Sequence, residues 1–268
     1  MSAAPHAHPG VALPKLFDLT GQVALVTGGG QGLGQKIAEG LACYGARVAV
    51  VDLDRAHAEH VAAELGAAQG AALALACDVT HADEVEAAVA QTVAHFGGVD
   101  ILVANAGIGD RSPAETMRQD QWERVLAVNL RGVWLFDQAV GRAMIARGRG
   151  GVIINMASIA GQVGLPTGNA NYSASKGGVI ALTRCLAVEW ARHNIRVNAV
   201  APAQFRTPLI ADLIERQPEI LTYFLSAIPL GRLGEVEEIV GPVVFLASPA
   251  ASMVTGHVLN VDGGHTAQ

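Results

Sequence analysis

From Gln22 onward the chain alternates short apolar runs with longer amphipathic segments, and this rhythm constrains its fold more than any other feature. VALVTG is followed by a helix-length stretch through AEGLACYG and then by ARVAVVDLD, which makes a strand–helix–strand unit. AALALACDV predicts a third strand, VDILVANAG a fourth, GVIINMAS a fifth, RVNAVAPA a sixth and HVLNVDGG a short last one. Apolar strands joined through helix-length connections imply a parallel sheet with helices on both faces. The expected fold class is therefore α/β, a doubly wound parallel sheet of about seven strands in a single domain. The boundaries expected are a flexible N-terminal arm over 1–16 and one domain over 17–268. A helical insertion near 204–235, marked by Pro208, Pro218 and Pro229, is expected to cover a site.

Composition narrows the function. The chain has 268 residues, 51% hydrophobic and 16% charged, enough for one sizeable core. Its net charge of −6, with no basic run, argues against a nucleic-acid partner. Cys43, Cys77 and Cys185 lie far apart and form no CxxC pair. The opening MSAAPHAHPGVALPK has proline and histidine where a signal peptide needs an apolar centre. A reducing, cytoplasmic setting follows as the expectation. No run approaches the ~20 apolar residues of a membrane span, and no His/Cys/Asp cluster suggests a metal.

The first strand–helix junction is TGGGQGLG. Gly28, Gly32 and Gly34 provide a tight turn, close backbone approach and close packing of helix on strand, so that backbone N–H groups can hold a pyrophosphate. Gln31 and Leu33 lie between them. Asp52, about 20 residues on at the end of the second strand, can accept hydrogen bonds from adenosine ribose hydroxyls and would repel a 2′-phosphate. No Arg or Lys lies within the glycine stretch to receive that phosphate, so NAD is expected over NADP. Leu53 adjoins Asp52, and Asp78 with Val79 ends the third strand, where a carboxylate can meet the adenine amino group. Asn105 closes the fourth strand, with Ala106 and Gly107 leaving room for the cofactor.

Tyr172 and Lys176 in NYSASKGG are four residues apart, so on a helix they share a face with Cβ atoms ~5–6 Å apart. Alone, that spacing also describes a phenol resting on a lysine stem. However, TGGGQGLG, NAG, Ser158 after NMAS, and YSASK occur in this order, and the sequence closely resembles the short-chain dehydrogenase/reductase family from about Phe17 to Gly264. The resemblance implies a Rossmann-type fold, with Tyr172 exchanging the proton at the substrate oxygen. It also implies that Lys176 lowers the phenol's pKa and holds the nicotinamide ribose, while Ser158 steadies the substrate oxygen. Asn129 would order a water that links the lysine to solvent. Pro202, Phe205 and Thr207 match the segment that reaches the nicotinamide amide. Ala203 stands where glycine is usual, and the loop from Ser158 to Tyr172 is one residue longer than the common spacing.

Within the family, TGGGQGLGQKIAEGLA, NAGIGDRSPAE and PLGRLGEVEEIVGPVVFLAS resemble the group acting on sugar acids and polyols, gluconate 5-dehydrogenase among them. The activity implied is reversible, NAD-dependent oxidation of a secondary alcohol. Arg111, Gln162, Asn169 and Gln204 are the polar residues expected to border the substrate alongside Ser158. The family also implies a homotetramer. Two alternatives stand at this point: a reductase of ketones or 3-oxoacyl thioesters, and a non-enzymatic NAD-binding regulator.

Overall fold

The seven expected strands form in the computed structural model, which describes residues 12–69 and 72–268. They are β1 (Val23–Thr27), β2 (Arg47–Asp52), β3 (Ala72–Ala76), β4 (Ile101–Ala104), β5 (Gly151–Met156), β6 (Ile195–Pro202) and β7 (Val258–Val261). All pairings are parallel, in the order β3-β2-β1-β4-β5-β6-β7. Val26 lies opposite Val50 on one side and Val103 on the other, which fixes the register at the centre.

Helices cover both faces, and this explains why the central strands read as unbroken apolar runs rather than as alternating ones. On one face Leu25, Ala49, Leu102, Ile153 and Val197 meet α3 (Ala82–Phe96), α5 (Val133–Arg147) and α6 (Ala170–Trp190). On the other, Ala24, Val26, Val50, Val103 and Ile154 meet α1 (Gly32–Cys43), α2 (Arg55–Gln69) and α9 (Val240–Ala247). Neighbouring residues of one strand go to opposite layers because successive Cβ atoms point to opposite faces. Close packing of α1 on α9 depends on a bare backbone: a Cβ on Gly40 would fall 2.3 Å from Val240 Cγ1.

The strand order reverses between β1 and β4, and the loops leaving their carboxyl ends part there to open a crevice. After β6 the chain forms α7 (Pro208–Arg216) and α8 (Glu219–Ala227). Thr207 caps α7 through a bond from Ile210 N to its Oγ1 (3.3 Å), with Pro208 at the first helical position. Ile220, Phe224, Ile228 and Leu233 give this segment a small core of its own. Between β4 and α6 lie α4 (Gln119–Leu126) and a π-helical stretch, Ala127–Gly132, that runs straight into α5. Of the expected N-terminal arm, residues 1–11 lie outside the described residues. Leu13–Lys15 form a 3-10 turn, and Leu16 O accepts a bond from Ala250 N at 3.0 Å.

Candidate active site

A cavity of about 1010 Å³ runs along the carboxyl ends of the central strands. Gly28, Gln31, Gly32, Leu33 and Gly34 line it at the β1–α1 turn. Gly28 and Gly32 adopt φ of +60° and +57°, which glycine reaches without steric cost. Gly34 has no room for a side chain, since a Cβ would fall 1.9 Å from Gly28 O. Gln31 provides no side-chain cap to α1, so the first N–H groups of the helix remain available to an anion.

Asp52, Leu53, Asp78 and Val79 line the same cavity at the ends of β2 and β3. The buried Asp52 carboxylate is fixed by two backbone donors, Gly30 N (2.9 Å) and Asp54 N (3.1 Å). Asp78 Oδ1 accepts from Thr80 N (2.8 Å) and Thr80 Oγ1 (2.7 Å). Partial burial pushes that carboxyl upward, but the Thr80 bonds and nearby His81 outweigh it and hold the pKa below the ordinary value. Asn105, Ala106 and Gly107 form the wall at β4, and Pro202, Phe205 and Thr207 the far end after β6. The size of the cleft, the bare glycine turn and the carboxylate at β2 suit an extended dinucleotide with a pyrophosphate at its middle. His57 and Arg55 also line the cavity, although nothing in their helical context singles them out in sequence.

Ser158 and Tyr172 stand where this cleft meets a second cavity, and Lys176 lines the cleft. Ser158 follows β5 and accepts a bond from Ala160 N at 3.2 Å, which turns the chain sharply. Tyr172 and Lys176 sit one turn apart on α6, with Lys176 Nζ 5.7 Å from the centre of the Tyr172 ring. Lys176 is buried and donates to Met156 O at 2.6 Å. Burial lowers its ammonium to about 8. The family resemblance implies a Tyr172 phenol lowered by Lys176, but here it lies above its ordinary value. Burial dominates, and the Ser158 hydroxyl and the Arg111 guanidinium pull the other way.

Asn129 is fully buried in the π-helical stretch. Its Oδ1 accepts from Ile108 N (2.8 Å), while its Nδ2 donates to Ile108 O (2.9 Å) and Ser175 Oγ (3.3 Å). The side chain therefore ties the β4 loop to α6. Gly107 lies between Asn129 and Lys176, where a Cβ would be 3.4 Å from Asn129 Oδ1 and 3.6 Å from Lys176 Nζ.

The second cavity, about 330 Å³, is enclosed by the loop after β4, the loop before α6, and the α7–α8 segment. Arg111, Asn169, Gln204, Ser158 and Tyr172 line it. Gln162 does not: the structure places it on the surface, donating to Asn260 Oδ1 at 2.6 Å, because the short turn after Ser158 directs it toward β7. Three buried polar atoms at this cavity have no partner among the described residues, namely Arg111 Nη1, Thr167 Oγ1 and Gln204 Oε1. Thr167 and Phe224 escaped the sequence analysis, since an irregular loop and a helix of apolar spacing carry no signal of what they face.

Comparison with known proteins agrees with this geometry. A family model described as enoyl-(acyl carrier protein) reductase matches residues 28–266. The chain is 43% identical over 258 residues to D-threitol dehydrogenase of Mycolicibacterium smegmatis, covering 93% of this chain and 95% of that protein. It is 42% identical over 256 residues to gluconate 5-dehydrogenase of Gluconobacter oxydans, covering 94% and 98%. Among solved structures, a short-chain type dehydrogenase/reductase from Mycobacterium marinum superposes with a TM-score of 0.91 at 40% identity, over 96% of this chain and 100% of that one. A gluconate 5-dehydrogenase from Burkholderia cenocepacia, in complex with NADP and tartrate, gives 0.90 at 38% identity, over 95% and 98%. With matches of this extent, this chain belongs to the short-chain dehydrogenase/reductase family, which binds a nicotinamide dinucleotide.

Proposed function

We propose that the protein is an NAD-dependent dehydrogenase that reversibly oxidises a secondary alcohol of a polyol, sugar or sugar acid to the ketone. The observation that carries this reading is the position of Ser158, Tyr172 and Lys176. Ser158 and Tyr172 stand on the wall shared by a dinucleotide-sized cleft and a smaller polar cavity, and Lys176 lines the cleft beside them. When bound, the nicotinamide supplies the acceptor for the carbinol hydrogen and its electron pair. Tyr172 Oη takes the hydroxyl proton, and Ser158 Oγ holds the substrate oxygen by a hydrogen bond. Lys176 contributes an ammonium charge on the cofactor side and a donor to the ribose. Asn129 keeps the β4 loop and α6 at a fixed spacing, so that these groups stay in register.

The preference for NAD rests on Asp52, whose carboxylate borders the cavity where a 2′-phosphate would lie. The nearby cation, Arg55, is engaged by Glu59 at 2.7 Å. The substrate class rests on the smaller cavity. Its unpartnered guanidinium, hydroxyl and carboxamide atoms suit an oxygen-rich chain better than the alkyl chain of an acyl thioester. Arg111 is also the group that would meet a substrate carboxylate. The relatives named for threitol, galactitol and gluconate support the same class.

We place the enzyme in the cytoplasm as a homotetramer. Three free cysteines favour a reducing compartment. The half-exposed edge strand β7 and the outward-facing Trp134 and Val188 of α5 and α6 favour self-association. Among the described residues no helix is long and apolar enough to cross a membrane. The deciding experiment is a dinucleotide-reduction screen over polyols, aldoses, sugar acids and simple secondary alcohols. Turnover with β-keto thioesters and NADPH alone would overturn the proposal.

A further inference from the structure

Arg111 is a cation without a counter-ion. It lies in the irregular stretch between β4 and α4, and its Nη1 is buried without a partner. Among the described residues no carboxylate comes within ion-pair distance of it. Its immediate neighbour Asp110 is taken by Arg124 and by Gln121 Nε2 (2.9 Å), and Asp212 across the cavity by Arg216 (3.0 Å). Its fixed companion is the Phe224 ring, 6.0 Å away, which orients the guanidinium but leaves most of its charge unanswered.

Tyr172 faces the same cavity. The groups around it can be named element by element. Its own helix offers Lys176, whose ammonium is turned to Met156 O. The end of β5 offers the Ser158 hydroxyl, and the loop after β4 offers Arg111 and the already paired Asp110. The α7 side offers the Asp212–Arg216 pair, and the remaining polar groups, Asn169, Thr167 and Gln204, are neutral. The unneutralised charge on the substrate side is thus Arg111.

We propose that Arg111 is a positioning residue for proton transfer, a second cation that stabilises the phenolate form of Tyr172 from the substrate side while Lys176 acts from the cofactor side. This inference rests on the reading of Tyr172 as the proton carrier. The mutual influence of the two groups agrees with it: Arg111 draws the phenol's pKa downward, and Tyr172 draws the guanidinium's upward, each against the larger effect of burial. The arrangement also explains how a buried phenol can work with its lysine directed at a backbone carbonyl. A substrate oxyanion formed at Tyr172 would fall under the same positive charge.

The test compares wild type with Arg111→Gln and Arg111→Lys, with Arg111→Met as the second neutral variant if the first fails to fold. Tyrosine Cζ-labelled protein is titrated by NMR without dinucleotide. Tyr172→Phe identifies the resonance among the three tyrosines. The Tyr172 midpoint should rise by about one pH unit in Arg111→Gln, a roughly tenfold drop in phenolate at a given pH, and return in Arg111→Lys. With a neutral polyol, the kcat/KM profile should shift to higher pH by the same amount, and dinucleotide affinity should hold. Coincident midpoints and profiles, with a loss confined to KM for carboxylate-bearing substrates, would make Arg111 an anion contact only and overturn the proposal. If wild type oxidises no alcohol, the functional reading fails, but the NMR midpoint still decides whether Arg111 acts on the phenol.

Discussion

Asn105 and Thr27 hold the carboxyl ends of β4 and β1 together by reciprocal hydrogen bonds. Asn105 Nδ2 donates to Thr27 O and Gly28 O, both at 3.0 Å, and Thr27 Oγ1 accepts from Asn105 N (3.0 Å) and Ala106 N (3.1 Å). The clamp sits where the strand order reverses, so it sets the width of the crevice that takes the dinucleotide. Thr27→Val keeps the shape of this buried side chain but strands two backbone donors. It should cost about 1–3 kcal/mol of stability and weaken dinucleotide binding. Chemical denaturation and a fluorescence titration of the coenzyme read the two effects, and an unchanged denaturation midpoint would refute the first.

Gly34→Ala places a methyl 1.9 Å from Gly28 O and 2.5 Å from Asn105 Nδ2, both parts of the same clamp. Backbone must move to admit it, at a cost of about 1–3 kcal/mol or more. Coenzyme affinity should fall by more than stability alone explains, because the glycine turn itself is displaced. Gly66→Ala serves as the control, since open space surrounds a Cβ there.

Asp52→Asn removes the charge at the end of β2 and keeps one of the two oxygen acceptors that the Gly30 and Asp54 amides use. Charge-assisted bonds are worth about 1.5–3 kcal/mol, so the ratio of kcat/KM for NAD over NADP should fall by roughly 10- to 100-fold. Steady-state kinetics with both coenzymes measures it. A ratio that stays constant would remove Asp52 from the basis of selectivity.

Tyr172→Phe deletes the hydroxyl proposed to carry the proton while leaving the ring in place. Turnover should drop by roughly 10²–10⁴-fold, the usual worth of a general acid–base group, with coenzyme affinity nearly unaltered. A protein that only senses the dinucleotide would keep its function in this variant. The comparison therefore separates an enzyme from a regulator built on the same fold.

Asp137 of α5 should give the protein a distinctive loss of stability with rising pH. It is fully buried, and Asn155 Nδ2 donates to its Oδ2 (3.0 Å) and to Thr183 Oγ1 (3.1 Å). Burial pushes its carboxyl to about 8, so the folded protein retains a proton that the unfolded chain releases near ~4. Its contribution to stability is complete below the unfolded value and is lost as pH rises toward 8, with a slope of up to about 1.4 kcal/mol per pH unit. Asp137→Asn should flatten that slope between pH 5 and 8 in denaturant melts. Parallel slopes for the two proteins would exclude Asp137 as their source.

The apolar rhythm from Gln22 determined the layers. Runs such as VALVT and ILVA leave no polar face, so they must be buried on both sides, and the segments between them are long enough for helices. The glycine turn, Asp52 and the Tyr172–Lys176 spacing were legible for the same reason: each acts through local geometry at a strand end or along one helix face. Tertiary structure alone decided what loops and distant helices face. Gln162 lies four residues after Ser158 yet points to β7, whereas Thr167 in the same loop lines the smaller cavity. Arg111, Phe224 and Tyr172 are separated by tens of residues, and no period in the chain brings a guanidinium over one ring and into the cavity that another lines. The protonation of Asp137 and Lys176 likewise follows from burial among side chains of other elements, which sets a local dielectric that a one-dimensional pattern does not encode.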